Sequence, residues 1–241
     1  MAAAKTARVV GTERISSDTL LLDLIATEPL GFVGGQYLIL DSRIVLPNGK
    51  AVKRAYSFLT GDAEQVRFQL AVKRIPDGPG SAFVHRLEAG TDISFSGPWG
   101  KFFPRDGASG RTLILATDTG ITAALGFLRA TRFAPLLPQA LLSWLRASSD
   151  YFLPEELVRE CIPAGCGEVR IEAIPAIGHP ERTPHARAIL RQMMSQGDLA
   201  QAFIAGDGSV NQALLEDLLA AGVPVSKDNV ESFFNMPKKT V

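Results

Sequence analysis

The 241-residue sequence is sparing with the residues that mark several common protein classes. It has two cysteines, three histidines, two tryptophans and three tyrosines, and its 25 basic side chains are matched by 25 acidic ones. Balanced charge gives no electrostatic case for nucleic acid or an anionic membrane as a partner. No apolar run approaches the roughly 18 residues that span a bilayer. Met1 to Lys5 also lacks the apolar stretch of a signal peptide. Neither membrane insertion nor export is therefore expected. Cys161 and Cys166 have the C-x4-C spacing that opens a plant-type iron–sulfur signature, but the later cysteines are missing. That argues against a cluster or any other metal site. Two ordinary thiols without a disulfide framework suit a reducing, cytoplasmic setting.

What is present divides into two parts. The length suits two lobes of roughly 100–140 residues rather than one core. Short runs at Thr19–Ile25, Gln36–Asp41, Arg54–Leu59, Val66–Val72 and Asp92–Phe95 read as strands, separated by turns such as Pro47-Asn48-Gly49. One helix is expected at Ser81–Leu87. Many short strands in succession predict an antiparallel, Greek-key β-barrel over residues 1–105.

The character changes at the linker Pro104–Gly110. Thr112–Ala116 is a continuous apolar run, as expected of a strand buried on both faces. Strands at Ala140–Leu145, Val169–Ala173 and Ala202–Ala205 then alternate with helices at Ile121–Thr131, Pro154–Cys161, His185–Gln196 and Ser209–Ala221. This pattern predicts a parallel, five-stranded α/β unit over residues 106–241. Ligands would bind beyond the carboxyl ends of its strands, at Ala116–Thr122 and Ala205–Ser209.

The most informative tetrapeptide is Arg54-Ala55-Tyr56-Ser57. On an extended strand Arg54 and Tyr56 share a face and Ser57 points the other way. A guanidinium clamps phosphate, a phenol ring offers a stacking surface, and a hydroxyl donates to a ring nitrogen. A surface arginine beside a half-buried tyrosine on an ordinary strand would read the same way.

The tetrapeptide resembles the R-x-Y-[ST] signature of the ferredoxin–NADP reductase family, and three further segments agree in order. Phe32-Val33-Gly34-Gly35-Gln36-Tyr37 is similar to F-x-P-G-Q-Y, with Gly34 where proline is usual. Val72-Lys73-Arg74, followed by Gly78-Pro79-Gly80-Ser81, resembles the second flavin-contacting stretch. Gly97-Pro98-Trp99-Gly100-Lys101-Phe102 resembles G-P-x-G-x-F. The resemblance implies that Arg54 neutralises the FAD pyrophosphate, Tyr56 stacks on the isoalloxazine, and Ser57 bonds near the hydride-accepting N5. It also implies that Gly78 to Ser81 offer backbone N–H groups to the pyrophosphate. Ser81 is also a candidate N-cap, and Lys73 and Arg74 also read as a solvated strand end.

The second half carries the nicotinamide side of the resemblance. Ala116-Thr117-Asp118-Thr119-Gly120-Ile121-Thr122-Ala123 is similar to x-G-G-T-G-I-A-P, which makes Thr119, Gly120 and Thr122 nucleotide-contact candidates. Asp118 departs from the family's glycine and must point away from a bound pyrophosphate. Ala205-Gly206-Asp207-Gly208-Ser209 is similar to C-G-P-x-x-M, bringing in Gly206 and Asp207, with Ser209 also readable as a plain N-cap. Ser143-Trp144-Leu145-Arg146 resembles the strand preceding the nucleotide ribose, so Arg146 is a contact candidate. Arg182, with His179, stands where the family reads the 2′-phosphate, which inclines the choice between NADPH and NADH toward NADPH. Near the end, Val230-Glu231-Ser232-Phe233 resembles V-E-x-Y. Glu231 would be the carboxylate at the reacting centre and Phe233 the aromatic over the flavin, although Phe233 and Phe234 also fit a packed terminal strand. The tail with Pro237-Lys238-Lys239 would either cover the flavin or adenosine or be simply disordered.

The function so implied is electron transfer from NAD(P)H through FAD to a separate ferredoxin or flavodoxin. A diaphorase, a flavin reductase or an oxygenase reductase component uses the same parts, and a non-catalytic flavin-binding subunit is the alternative outside enzymes.

Overall fold

The computed structural model describes residues 4–105, 107, 109–147 and 152–236. Pro237-Lys238-Lys239 and two linker positions, 106 and 108, lie outside the described residues.

Six strands form the first sheet: β1 (Lys5–Arg14), β2 (Thr19–Ala26), β3 (Tyr37–Val45), β4 (Ala51–Ser57), β5 (Arg67–Lys73) and β6 (Asp92–Trp99). All pair antiparallel, in the order β4-β3-β6-β1-β2-β5, a Greek-key arrangement. The sheet curls until its edges meet. Just after β4, the Leu59 N–H donates to the Gln69 carbonyl of β5 at 2.9 Å. Inside lie Phe32, Phe58, Phe68 and Phe95, with the Phe32 and Phe58 rings stacked at 4.3 Å. The strand β1 has little sequence signal, because only Ala7 and Val9 turn inward among exposed Arg8, Val10 and Glu13. Pairing with β2 and β6 on both sides makes it a strand. The short helix α1 (Pro79–Val84) begins two residues before the expected start, with Pro79 in its first turn.

The second sheet holds β7 (Thr112–Thr117), β8 (Ala140–Ala147), β9 (Glu168–Ile174), β10 (Gln201–Asp207) and β11 (Val230–Phe234). All are parallel, in the order β11-β10-β7-β8-β9. Every residue of β7 is buried, as its unbroken apolar run requires. The helices are α2 (Ile121–Leu128), α3 (Glu155–Cys161), α4 (Arg182–Met194) and α5 (Gly208–Ala220). The helix expected over Ile121–Thr131 stops at Leu128. A 3-10 stretch at Thr131–Gln139 follows, and its Pro135 and Pro138 cannot carry an α-helix onward. Helix α4 starts three residues before the expected His185, because Pro184 falls in the first turn, where its missing N–H has no cost.

The two sheets are joined through α2. A Cβ on Gly126 would lie 2.4 Å from the Phe58 carbonyl oxygen, and one on Gly34 would lie 2.1 Å from the Gly126 carbonyl oxygen. A Cβ on Gly61 would meet the Arg129 carbonyl at 2.3 Å. Bare backbone therefore meets bare backbone. Asp62 closes the same seam, accepting from the Gly34 N–H at 3.0 Å and from the Thr131 N–H at 2.7 Å. The departure from the family's proline at Gly34 thus has a steric reason. Gly126→Ala forces this seam open. We expect a cost of about 2 kcal/mol and a fall in Tm of roughly 5 °C, measured by thermal unfolding. An unchanged Tm would mean that the seam yields freely.

Candidate active site

The turn that follows β7, the edge strand β4 and the last strand β11 face one cleft of about 660 Å³. Arg54, Ala55, Tyr56 and Ser57 all line it, although strand alternation separates Ser57 from Arg54 and Tyr56. The Arg54 side chain is exposed and donates to the Lys53 carbonyl at 2.8 Å. Gly80 allows α1 to press close to it, since a Cβ there would meet Arg54 Cγ at 2.7 Å. Burial raises the Tyr56 phenol to about 12, against a smaller lowering by Arg54, so it stays neutral. Ser57 is buried opposite Tyr37 on β3.

The neighbouring stretch divides. Lys73 lines the cleft and pairs with Asp18 at 3.3 Å. Val72 is buried in the barrel core, and its carbonyl accepts from the His85 ring at 2.9 Å. Arg74 folds back on the carbonyls of Ile75 and Gly78. Ser81 is not an N-cap. Gly78 caps α1 without a side chain, and Ser81 Oγ instead holds the loop by accepting from the Ile75 N–H at 3.0 Å and bonding the Gly78 carbonyl at 3.1 Å. Pro79 opens this six-residue helix.

On the second sheet Thr119 and Thr122 line the cleft, and Thr122 Oγ1 donates to the Thr119 carbonyl at 3.0 Å. Gly120 and Gly206 bring the two loops together. A Cβ on Gly120 would lie 2.2 Å from the Ala205 carbonyl, and one on Gly206, at φ +127°, 2.2 Å from the Thr117 carbonyl. Asp207, not Ser209, is the N-cap of α5, accepting from the Ser209 N–H at 3.1 Å. Arg146 pairs with Glu155 at 3.6 Å and lies over the Trp144 ring.

Charges on the second sheet are gathered beneath the cleft rather than facing it. Arg182 is 3% exposed and ion-paired to both Asp118 and Asp207, and its Nη1 donates to the Pro175 carbonyl at 2.6 Å. An arginine kept for a 2′-phosphate would stand open with free donors, so the incline toward NADPH loses its main support. Asp118 does turn its carboxylate inward, onto Arg182 and the Ala147 N–H at 3.1 Å, yet it still borders the cleft. Burial pushes this carboxyl upward, opposed by Arg182 and the Ala147 amide.

The last strand completes the wall. Phe233 is 38% exposed there. Glu231 packs against Tyr37 in the space left by Gly100, where a Cβ would lie 2.6 Å from Glu231 Oε1. Its Oε2 is buried without a hydrogen-bond partner among the described residues. Burial raises the Glu231 carboxyl to about 8, and Tyr37 is raised by burial and by Glu231. Sequence reasoning passed over Tyr37, Ile75, Phe152 and Ile177 as cleft residues. For Tyr37 the signal was at hand in the Gln36-Tyr37 pair, whereas the other three lie on loops without a pattern.

The arrangement suits a flavin dinucleotide. A cleft of this size, whose apolar surface is interrupted by convergent polar groups such as Arg54, Ser57 and Thr119, is of the kind that encloses a cofactor. The buried Glu231 Oε2, with no hydrogen-bond partner among the described residues, and the exposed Arg54 guanidinium give the cleft polar groups suited to such a ligand.

Comparison with known proteins agrees. Residues 6–103 match the oxidoreductase FAD-binding domain. Those residues therefore carry the sequence pattern of an oxidoreductase FAD-binding domain. The chain is 35% identical over 150 residues to ferredoxin–NADP reductase B of Sorangium cellulosum (strain So ce56), covering 62% of this chain and 59% of that protein. It is 25% identical over 237 residues to the ferredoxin–NAD(P)(+) reductase CarAd of Metapseudomonas resinovorans, covering 95% and 68%. The fold matches that of the Amycolatopsis cytochrome P450 reductase GcoB, with a TM-score of 0.73 at 22% identity over 98% of this chain and 70% of that one. The chain spans between 26% and 59% of the length of the first curated relatives it matches.

A raised carboxyl gives a pH dependence of definite sign. Between the ordinary 4.5 and about 8, folded Glu231 keeps a proton that the unfolded chain has released. Stability therefore falls as pH rises through that window and levels off above it. We expect the urea midpoint of the wild type to decline across this range relative to Glu231→Gln. Parallel curves for the two proteins would contradict the burial of this carboxyl.

Proposed function

We propose that this chain is a flavoprotein reductase that takes hydride from NADH or NADPH and delivers electrons to a separate protein acceptor of ferredoxin or flavodoxin type. Residues 1–105 act as the FAD unit and residues 106–241 as the nucleotide unit. The observation that carries the reading is a single cleft walled by Arg54–Ser57 of the first sheet, Thr119 and Thr122 of the second, and Glu231 and Phe233 of the last strand. The similarity to ferredoxin reductases supports the same assignment.

In this reading Arg54 meets the pyrophosphate with its exposed guanidinium. Tyr56 supplies a neutral ring for stacking, and Ser57 a hydroxyl toward the flavin edge. Bound FAD would supply the chemistry that links a two-electron donor to one-electron acceptors. Thr119 and Thr122, at the start of α2, orient the nicotinamide nucleotide. Phe233 covers the far side of the cleft until the nicotinamide displaces it. Glu231, neutral near pH 7, holds a proton within the cleft rather than a charge.

The test is stopped-flow mixing of the FAD-loaded protein with NADH and with NADPH. Bleaching of the flavin absorbance by either nucleotide is expected, followed by reoxidation on adding a ferredoxin or flavodoxin. A yellow protein inert to both nucleotides would instead make this a flavin-binding subunit. Tyr56→Ala should weaken FAD retention by about tenfold, equivalent to ~1.4 kcal/mol, measured by flavin release on dialysis. Unchanged retention removes the stacking role.

A further inference from the structure

Three buried charges at the mouth of the second sheet have no part in the reading above. Asp118 follows β7, Asp207 ends β10, and Arg182 opens α4. The guanidinium pairs with both carboxylates and donates to Pro175 after β9. One residue thus ties together the carboxyl ends of three parallel strands. Asp118 adds the fourth, because its carboxylate accepts from the Ala147 N–H at the end of β8 and its carbonyl from Trp144 Nε1 at 2.9 Å. The remaining contacts of Asp207 are neutral: Ser209, and the Asn235 amide at 3.3 Å. The described cluster therefore holds two negative charges against one positive.

Asp118 also has φ +48°, the left-handed conformation natural to glycine, and it borders the cleft immediately before Thr119 and α2. The junction of a strand's carboxyl end with a helix's amino end is the ordinary seat of a dinucleotide phosphate in a parallel sheet. A carboxylate there repels the ligand unless a cation cancels it.

We infer that Arg182 is a positioning residue for the nicotinamide nucleotide: it holds the Asp118 turn in shape and cancels its charge, and it does not read a 2′-phosphate. The inference rests on the proposed reductase function. It requires Arg182 to matter equally for both nucleotides, since neither the turn nor its charge senses the 2′ position.

The experiment measures the Kd of NAD+ and NADP+ on FAD-loaded protein by flavin absorbance titration, for the wild type, Arg182→Met, Asp118→Asn and the double variant. Arg182→Met should lose about tenfold or more in affinity for both nucleotides alike, with its flavin spectrum unchanged. Adding Asp118→Asn should restore most of that loss. Asp118→Asn alone keeps the side-chain shape and removes one negative charge, so it should bind both nucleotides several-fold more tightly. It also serves as the test if Arg182→Met does not fold. A loss confined to NADP+ would make Arg182 a phosphate reader and overturn the inference. Unchanged affinities, or a loss that Asp118→Asn fails to restore, would overturn it as well. Wild-type protein that binds neither nucleotide would instead sink the reductase reading itself, and this inference with it.

Discussion

A methyl group on Gly126 would overlap the carbonyl oxygen of Phe58, and the rest of the site depends on that closeness. Phe58 follows Ser57, so the strand carrying Arg54, Tyr56 and Ser57 is fixed directly to α2. Helix α2 in turn carries Thr122 in its first turn and follows the loop that carries Thr119. Close-packed interiors resist sliding, and a backbone seam has no long side chains to absorb a displacement. The spacing between the two walls of the cleft is therefore set by glycine contacts and by the Asp62 clasp on Gly34 and Thr131. In the proposed reductase, hydride transfer would be a matter of proximity and orientation, and this seam is the element of the fold that would supply both.

Within the cleft, charge is handled differently on the two sides. On the first sheet Arg54 is exposed and Tyr56 is kept neutral by burial. On the second sheet the charges are internal, with Asp118 and Asp207 facing Arg182 away from solvent. Buried ion pairs of this kind contribute little net stability against a packed apolar alternative, but losing one partner is costly. Their value here is geometric, since they hold strand ends that carry no covalent link. Glu231 is the exception, a buried carboxyl without an ionic partner among the described residues, held neutral by desolvation.

Much of this was legible in the residues. The all-apolar Thr112–Ala116 run determined a central parallel strand, because only a strand covered on both faces can be apolar throughout. The alternation of strand and helix determined the parallel sheet, and Arg54 to Ser57 marked one wall of the cleft. Strand β1 was not legible, because its inward residues are only two and one of its partners, β6, is distant in sequence. The end of α2 and the start of α4 were each misplaced by three residues, the latter because Pro184 is tolerated in a first helical turn.

The roles of Ser81 and Arg182 could not have been read from sequence. A serine near a helix start and an arginine after a strand carry the same local signal whether they cap, read phosphate or pin a loop. Which of these each does depends on groups far away along the chain: Ile75 for one, Asp118 and Asp207 for the other. The sequence by itself determined the two sheets and the chemistry available to the cleft, because periodicity and residue type are local properties. Only the tertiary structure decided which charged groups remain available to a ligand, because neutralisation by a partner is a matter of distance in space.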